Sequence, residues 1–503
     1  MQLKTLCDNF KNRIWFIAIF LVILIIFAII NFSVKVDILY KFEILSFLGV
    51  FIIGSFLIVS FSKEWHNFVF LVILLFGSIN CFITPILDSP DEQAHLARSE
   101  MTSRFNWVIE PEKGTADYEI VQSVSDLTQE IHKTKFETSL DDQPINFQNV
   151  TSRSLAVNNP FFGYIMQAIG INIAKTFHLS VMWMMWLGRI GNVLLAAFIS
   201  RYAIKTIPTF KMQLSMVACL PMAVYQAASL SIDATINSFA LLCIAYFIRL
   251  FSMKEKSIGI KNILIFFILC LLTGISKVPY MALALLIIFI PLKKFKTKTI
   301  YVFAWISLSM CGIVAAVWFL YTMGLNTQIQ ATLGAVYESE NNVSSMGQIQ
   351  FIKHNLLPVI QMLIRTMVLR APTFAQGLFT YGGLSYDVEG MYILFMMFWG
   401  AAVLMYPNNI KIPNSIRLGS FLTAIIIYIA TSLALYLSWT GVGKFFIEGL
   451  QGRYFLPLLS LFPLIFSLDN HNKKVDFKVD LVFASVIIVF LSSMTLRTTF
   501  LYY

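Results

Sequence analysis

The sequence predicts an all-α polytopic membrane protein, with about thirteen transmembrane helices and two long extracytoplasmic loops carrying interfacial helices. Three observations predict it. Of 503 residues, 58% are hydrophobic and 13% charged, and the mean hydropathy is +0.74. Apolar runs of roughly 18–22 residues, the length that crosses a bilayer, recur along the chain. Lys and Arg gather in the short connections between those runs, the positive-inside pattern. The net charge of +10 therefore orients the chain in a membrane and does not mark nucleic acid as a partner. Five of the six cysteines, Cys81, Cys219, Cys243, Cys270 and Cys311, lie in apolar runs. That placement argues against a disulfide framework and a zinc site.

The elements follow in order. The first span, 14–32, comes after Lys4, Lys11 and Arg13 and lacks a small-residue cleavage site. It reads as a retained anchor with a cytoplasmic N-terminus. A connection with Lys35 and Lys41 leads to the second span, 45–61, which returns to Lys63; the third, 68–87, exits. Residues 88–160 form the first outer segment, richer in acids such as Asp117, Asp126 and Asp142 than in bases. Weak amphipathic patterns at 94–108 and 121–136 predict short helices on the membrane surface. Residues 161–177 are apolar but carry Gln167, Asn172 and Lys175, which suits an interfacial or partly embedded helix.

Crossings resume at 181–204, 213–230 and 234–250. Residues 263–275 and 279–292 are each short for a span and are joined by Gly274-Ile-Ser-Lys277-Val-Pro279. Short apolar pairs broken by Gly and Pro tend to line cavities. Lys293, Lys294, Lys296 and Lys298 hold the next loop inside. After 300–321, residues 322–389 form the second outer segment, with an amphipathic stretch at 351–369 and with Lys353, His354, Arg365 and Arg370. Runs at 390–406, 418–439, 454–468 (returning to Lys473 and Lys474) and 482–496 complete the set. There is no repeat and no soluble domain.

Residues able to do chemistry collect on the outer side. Asp88-Ser-Pro-Asp91-Glu92-Gln-Ala-His95-Leu-Ala-Arg98 follows the third span directly. If Pro90 opens a helix, Asp91, His95 and Arg98 share a face and Glu92 sits beside Asp91. Carboxylates held there serve as general base, metal ligand or charge stabiliser. They equally make an acidic helix N-cap. Asp233, ending one span and starting the next, has the same two readings. Lys277 and Arg453 either snorkel to the interface or bind an anion. His95 gains weight only from its spacing to Asp91; His132, His354 and His471 have no such context. Trp439 reads as interfacial belt. Acids facing cations at a membrane surface make a site for a phosphorylated, lipid-linked ligand.

Pro90-Asp91-Glu92-Gln-Ala-His95 resembles the Pro-Asp-Glu-x-x-His motif of a bacterial membrane-protein family catalogued as domain of unknown function 2142. Gln226-Ala-Ala-Ser-Leu-Ser-Ile-Asp233-Ala-Thr-Ile-Asn237 resembles its segment ending in Asp-Ala-x-x-Asn, and Gln451-Gly-Arg453-Tyr-Phe-Leu-Pro457 its Gln-Gly-Arg-Tyr-x-x-Pro. The family is similar in layout to the GT-C glycosyltransferases, which share an acidic motif in the first long outer loop and use polyprenyl-phosphate sugars. Ser89-Pro90 stands where the family often has two prolines, and Asn159-Pro160 where some GT-C relatives have His-Pro-Pro. These departures leave the donor's details open.

The resemblance implies a GT-C-type glycosyltransferase at the outer face of a bacterial plasma membrane. It would move a sugar from undecaprenyl phosphate to a cell-wall or surface-glycan acceptor, teichoic-acid-like in kind. Asp91 would be the general base, with Glu92 and Asp233 orienting the acceptor. Alternatively Glu92 and Asp233 would hold a divalent cation, Mg or Mn, for which Asp91, Glu92 and His95 are the candidate ligands. Arg453, Arg370 and Lys277 would bind the donor phosphate, and Asp88, His95, Arg98, Gln451 and Tyr454 would hold the acceptor or support the site. The alternative is a transporter or flippase of a lipid-linked glycan; a third reading is a non-catalytic scaffold.

Overall fold

The computed structural model describes residues 3–31, 39–108, 118–152, 155–382, 386–388, 390–408, 410–468 and 475–503. Lys35, Asp117, Glu389, His471, Lys473 and Lys474 lie outside the described residues. Among those described, eight helices are long and apolar enough to cross a membrane. The chain is a helical, polytopic membrane protein.

Helices α1 (Leu3–Asn31), α2 (Leu39–Ser60) and α3 (Trp65–Ile83) open the bundle. In the segment expected to face outward, 88–160, short helices stand at both expected places. The segment folds into a small cap: α4 (Glu92–Ser103), β1 (Tyr118–Val121), α5 (Gln122–Gln129) and β2 (Asn149–Ser152), with β1 and β2 antiparallel. The cap has its own core. Leu96, Met101, Ile120, Val124 and Leu127 pack on Met182, Met185 and Trp186 at the start of α7 (Val181–Thr206). That burial explains why 94–108 looked only weakly amphipathic: α4 is covered on nearly every face.

Before α7 comes α6 (Ile165–Thr176), the apolar 161–177 stretch. Its 12 residues reach about 18 Å at 1.5 Å per residue, too short to cross. It lies against α7 with the backbones touching. A Cβ at Gly170 would stand 2.0 Å from Leu187 O, and one at Gly191 2.1 Å from Met166 O.

The run expected as one crossing at 213–230 is broken into α8 (Lys211–Ala218) and α9 (Pro221–Ala227). Pro221 offers no N–H to continue the ladder and pushes Leu220 to extended backbone, φ −57° and ψ 141°. α10 (Asp233–Ser252) and α11 (Ile260–Ser276) follow. The partner of α11, Val278–Phe289, is a 3₁₀ helix of 12 residues. At about 2.0 Å per residue it reaches roughly 24 Å, further than its length suggested.

α12 (Lys298–Asn341) continues past the expected boundary at 322, so the second segment expected to face outward begins inside a helix. α13 (Ser345–His354), α14 (Leu356–Leu369), α15 (Ala371–Gln376), α16 (Met391–Leu404) and α17 (Asn414–Ser438) come next. The span expected at 454–468 is a 3₁₀ helix, Gly452–Leu461, leading into α18 (Phe462–Phe466). Pro457 and Pro463 keep it from being an ordinary α-helix. α19 (Phe477–Tyr502) closes the chain.

Hydrogen bonds gather the motif segments at one end of the bundle. The C-terminal end of α3, the start of α10, the turn after α11 and the start of the Gly452–Leu461 helix meet there. Tyr502, the last residue of α19, reaches the same end and donates to Asp88.

Candidate functional site

Asp91 occupies the N-cap position of α4 but makes no cap hydrogen bond through its side chain. Its backbone is left-handed, φ 61° and ψ 13°, a conformation that Asp tolerates better than most residues. That twist turns the carboxylate away from the helix. Its Oδ2 lies 2.6 Å from Arg453 Nη2, and the side chain stays 64% exposed.

Arg453 is the centre of the cluster. Nη1 donates to Asp233 Oδ2 at 3.1 Å and to Pro90 O at 3.4 Å, and Nε donates to Gln451 Oε1. Asp233 Oδ2 also accepts from Gln226 Nε2 at 2.7 Å, and Gln226 Oε1 accepts from Asn237 Nδ2 at 2.8 Å. All three sequence motifs therefore join in one polar network. The Arg453 side chain is only 2% exposed and its nitrogens are engaged by protein groups. In this arrangement it clamps two carboxylates and is not presented to a phosphate. Gly452 allows the approach: a Cβ there would stand 2.2 Å from Phe374 O.

Lys277, in the turn after α11, sits with Nζ 3.9 Å from the centre of the Tyr454 ring. Among the described residues it forms no ion pair. Burial pushes its ammonium down to about 8, against the pull of Asp233. Arg370 is exposed and donates to Ile447 O at 3.3 Å; it stands apart from the Arg453 cluster.

Glu92, the neighbour of Asp91, does something else. It is fully buried and accepts two hydrogen bonds from Arg189, Nε to Oε1 and Nη2 to Oε2, both at 2.8 Å. Leu230 N donates to the same carboxylate at 3.0 Å, and Arg189 also binds Cys81 O, Thr84 O and Pro85 O. This forked pair ties the end of α3 to α7 and α4 and engages both Glu92 oxygens. The expected metal trio of Asp91, Glu92 and His95 does not converge. Among the described residues no three His, Cys, Asp or Glu side chains are placed to hold a metal ion. The αL turn at Asp91 sends adjacent side chains to opposite environments.

The remaining candidates divide. His95 is buried, with Nδ1 2.7 Å from Tyr164 OH, and burial lowers its pKa, which keeps the ring neutral at pH 7. Arg98 is buried and donates to Thr102 Oγ1, Asn159 O, Asn106 O and Trp107 O, shaping the cap and bracing Asn159. Asp88 is buried with His132 at 2.6 Å and with Tyr502; burial raises its pKa against those hydrogen bonds. It braces the loop that carries Asp91.

Asp91, His95, Asn159, Trp439, Gln451 and Tyr454 line one cavity of about 470 Å³. Trp439, expected in the interfacial belt, is part of its wall. Arg189, Gln226, Tyr164 and Asn237 were not singled out from the sequence for a role. Arg189 had a signal: an arginine inside an apolar run is costly and is kept for a reason.

A family model described as "Predicted membrane protein (DUF2142)" matches residues 74–462. No curated protein and no solved structure matches the chain.

Proposed function

The chain belongs to the DUF2142 family of predicted membrane proteins, and from its site we propose that it is an integral-membrane glycosyltransferase of the GT-C type. It takes a sugar from a polyprenyl phosphate at the outer face of a bacterial plasma membrane and passes it to a surface-glycan acceptor. One observation carries this reading. The Asp91 carboxylate faces a cavity of about 470 Å³ while a buried Arg453 grips it together with Asp233. A carboxylate aimed by a fixed guanidinium, with one oxygen left toward a cavity, suits a general base.

In the proposed step the acceptor hydroxyl oxygen bonds to the anomeric carbon. The bond from that carbon to the phosphate oxygen breaks, and polyprenyl phosphate leaves with the electron pair. The hydroxyl proton passes to Asp91. Lys277, half-buried over the Tyr454 ring, and the exposed Arg370 supply positive charge for lipid phosphates. Asp233 holds Arg453 in place. Trp439 and Tyr454 offer aromatic faces to the sugar.

The test is turnover by the purified full chain in lipid vesicles, with radiolabelled undecaprenyl-phosphate sugars as donors and cell-envelope lipid and glycan as acceptors. Label should leave the donor with the wild type and stay on it with Asp91→Asn. Movement of intact donor across the vesicle, with no label released, would replace transfer by transport.

A further inference from the structure

Two apolar grooves enter the bundle from the site, one on each side of α17. The first, about 330 Å³, starts at Gly452, next to Arg453, and runs down to Phe466. Phe374 and Phe455 line it, with Ala424 and Tyr428 from α17. The second, about 480 Å³, starts at Val278, next to Lys277, and reaches Leu285. Gly312 and Ala315 of α12 line it, with Ala430, Ala434 and Leu437 of α17. At 3.6 residues per turn, the first groove's lining on α17 (421, 424, 425 and 428) centres on the face opposite to the second's (426, 430, 433, 434 and 437). The grooves are therefore separate.

Their lengths differ. Gly452 to Phe466 spans roughly 27 Å, at about 2.0 Å per residue in its 3₁₀ part and about 1.5 Å in α18. That is close to the full hydrocarbon core of about 30 Å. Val278 to Leu285 spans roughly 16 Å, about one leaflet. Arg370 precedes the lining residue Ala371 of the long groove, and Lys277 precedes Val278 at the start of the short one, with its Nζ over the Tyr454 ring.

We propose that the acceptor is itself a membrane lipid, a phosphate-bearing glycerolipid whose acyl chain occupies the short groove with its headgroup at Lys277, while the long groove takes the polyprenyl donor. The roles of donor and acceptor rest on the transfer reading above; glycerolipid binding in the short groove does not depend on it. A chain that ends at the midplane fits acyl tails, and a lysine free of ion pairs among the described residues complements an anionic headgroup. The hydroxyl that attacks then belongs to a headgroup held at the mouth of the cavity shared by Asp91 and Tyr454.

The full chain is placed in phosphatidylcholine nanodiscs containing phosphatidylglycerol or undecaprenyl phosphate, and retained lipids are counted by native mass spectrometry. Gly312 lines the short groove and has open space where a Cβ would stand, so Gly312→Trp puts a large side chain at the groove wall. It should lose phosphatidylglycerol and keep the prenyl lipid. Ala434→Leu, from the facing wall, should do the same, and Lys277→Gln should remove the preference for phosphatidylglycerol over phosphatidylcholine. Ala371→Trp should lose the prenyl lipid alone. Phosphatidylglycerol retained at the wild-type level by both short-groove variants overturns the proposal, as does loss of the prenyl lipid from them. Absence of prenyl retention in the wild type counts against the transfer reading alone.

Discussion

Arg453 Nη2 stands 2.6 Å from Asp91 Oδ2 across 362 residues of sequence. The same guanidinium holds Asp233 at 3.1 Å. One buried cation thus fixes two acids from two other motifs, and the consequences of that arrangement can be measured.

Arg453→Lys leaves a charge but removes the fork, so a single ammonium cannot grip both acids in this geometry. Charge-assisted hydrogen bonds contribute about 1.5–3 kcal/mol each. We expect kcat to fall roughly 10- to 100-fold, with KM for the lipid donor little changed. A rise in KM at constant kcat would make Arg453 a phosphate ligand instead.

Asp91→Asn keeps the shape and tolerates the left-handed backbone, but it cannot accept a proton at neutral pH. A general base contributes about 10²–10⁴-fold, and transfer should fall by that much while the thermal midpoint in detergent barely moves. There is no cap hydrogen bond to lose, since Asp91 makes none. Full activity in this variant would remove Asp91 from the mechanism.

Glu92→Gln acts on the fold. It leaves Arg189 buried without its counter-charge. Breaking a buried pair in this way costs about 3–5 kcal/mol. Thermal unfolding of the purified protein should show a large loss of stability, and the protein that remains folded should still turn over. A stable, inactive Glu92→Gln protein would return Glu92 to the catalytic group.

The charge on Lys277 sets a pH limit. Its ammonium, pushed down to about 8 by burial, is present below that pH and lost above it. At subsaturating lipid, kcat/KM should therefore decline as pH rises through about 8. Lys277→Arg, charged throughout, should be flat over the same range. An unchanged decline in that variant would assign the titration to another group.

Orientation is tested by cysteine labelling in a Cys7→Ser background, since Cys7 is the exposed native thiol. Cysteines at Ser125 and Thr297 should react with an impermeant reagent from opposite sides of the membrane, Ser125 from outside. Labelling of both from outside would discard the proposed topology, and Thr297 alone labelled from outside would invert it.

The sequence by itself determined that this is a helical membrane protein, because hydropathy and run length are local properties that burial in lipid must obey. It also put Asp91, Asp233, Lys277 and Arg453 forward, since charges at the ends of apolar runs stand out against their surroundings. It could not assign partners. Asp91 and Glu92 are adjacent and chemically alike, yet the left-handed turn at Asp91 sends one to a cavity and the other to Arg189. Composition cannot show that, because φ at one residue is chosen by the contacts on both sides of it. The clamp on Asp91 and Asp233, the cap built on α7 and the two grooves beside α17 were decided only by tertiary packing. They depend on which backbones can touch, as Gly452 does with Phe374 O and Gly170 with Leu187 O. Such approaches join segments tens or hundreds of residues apart, where no local pattern carries the information.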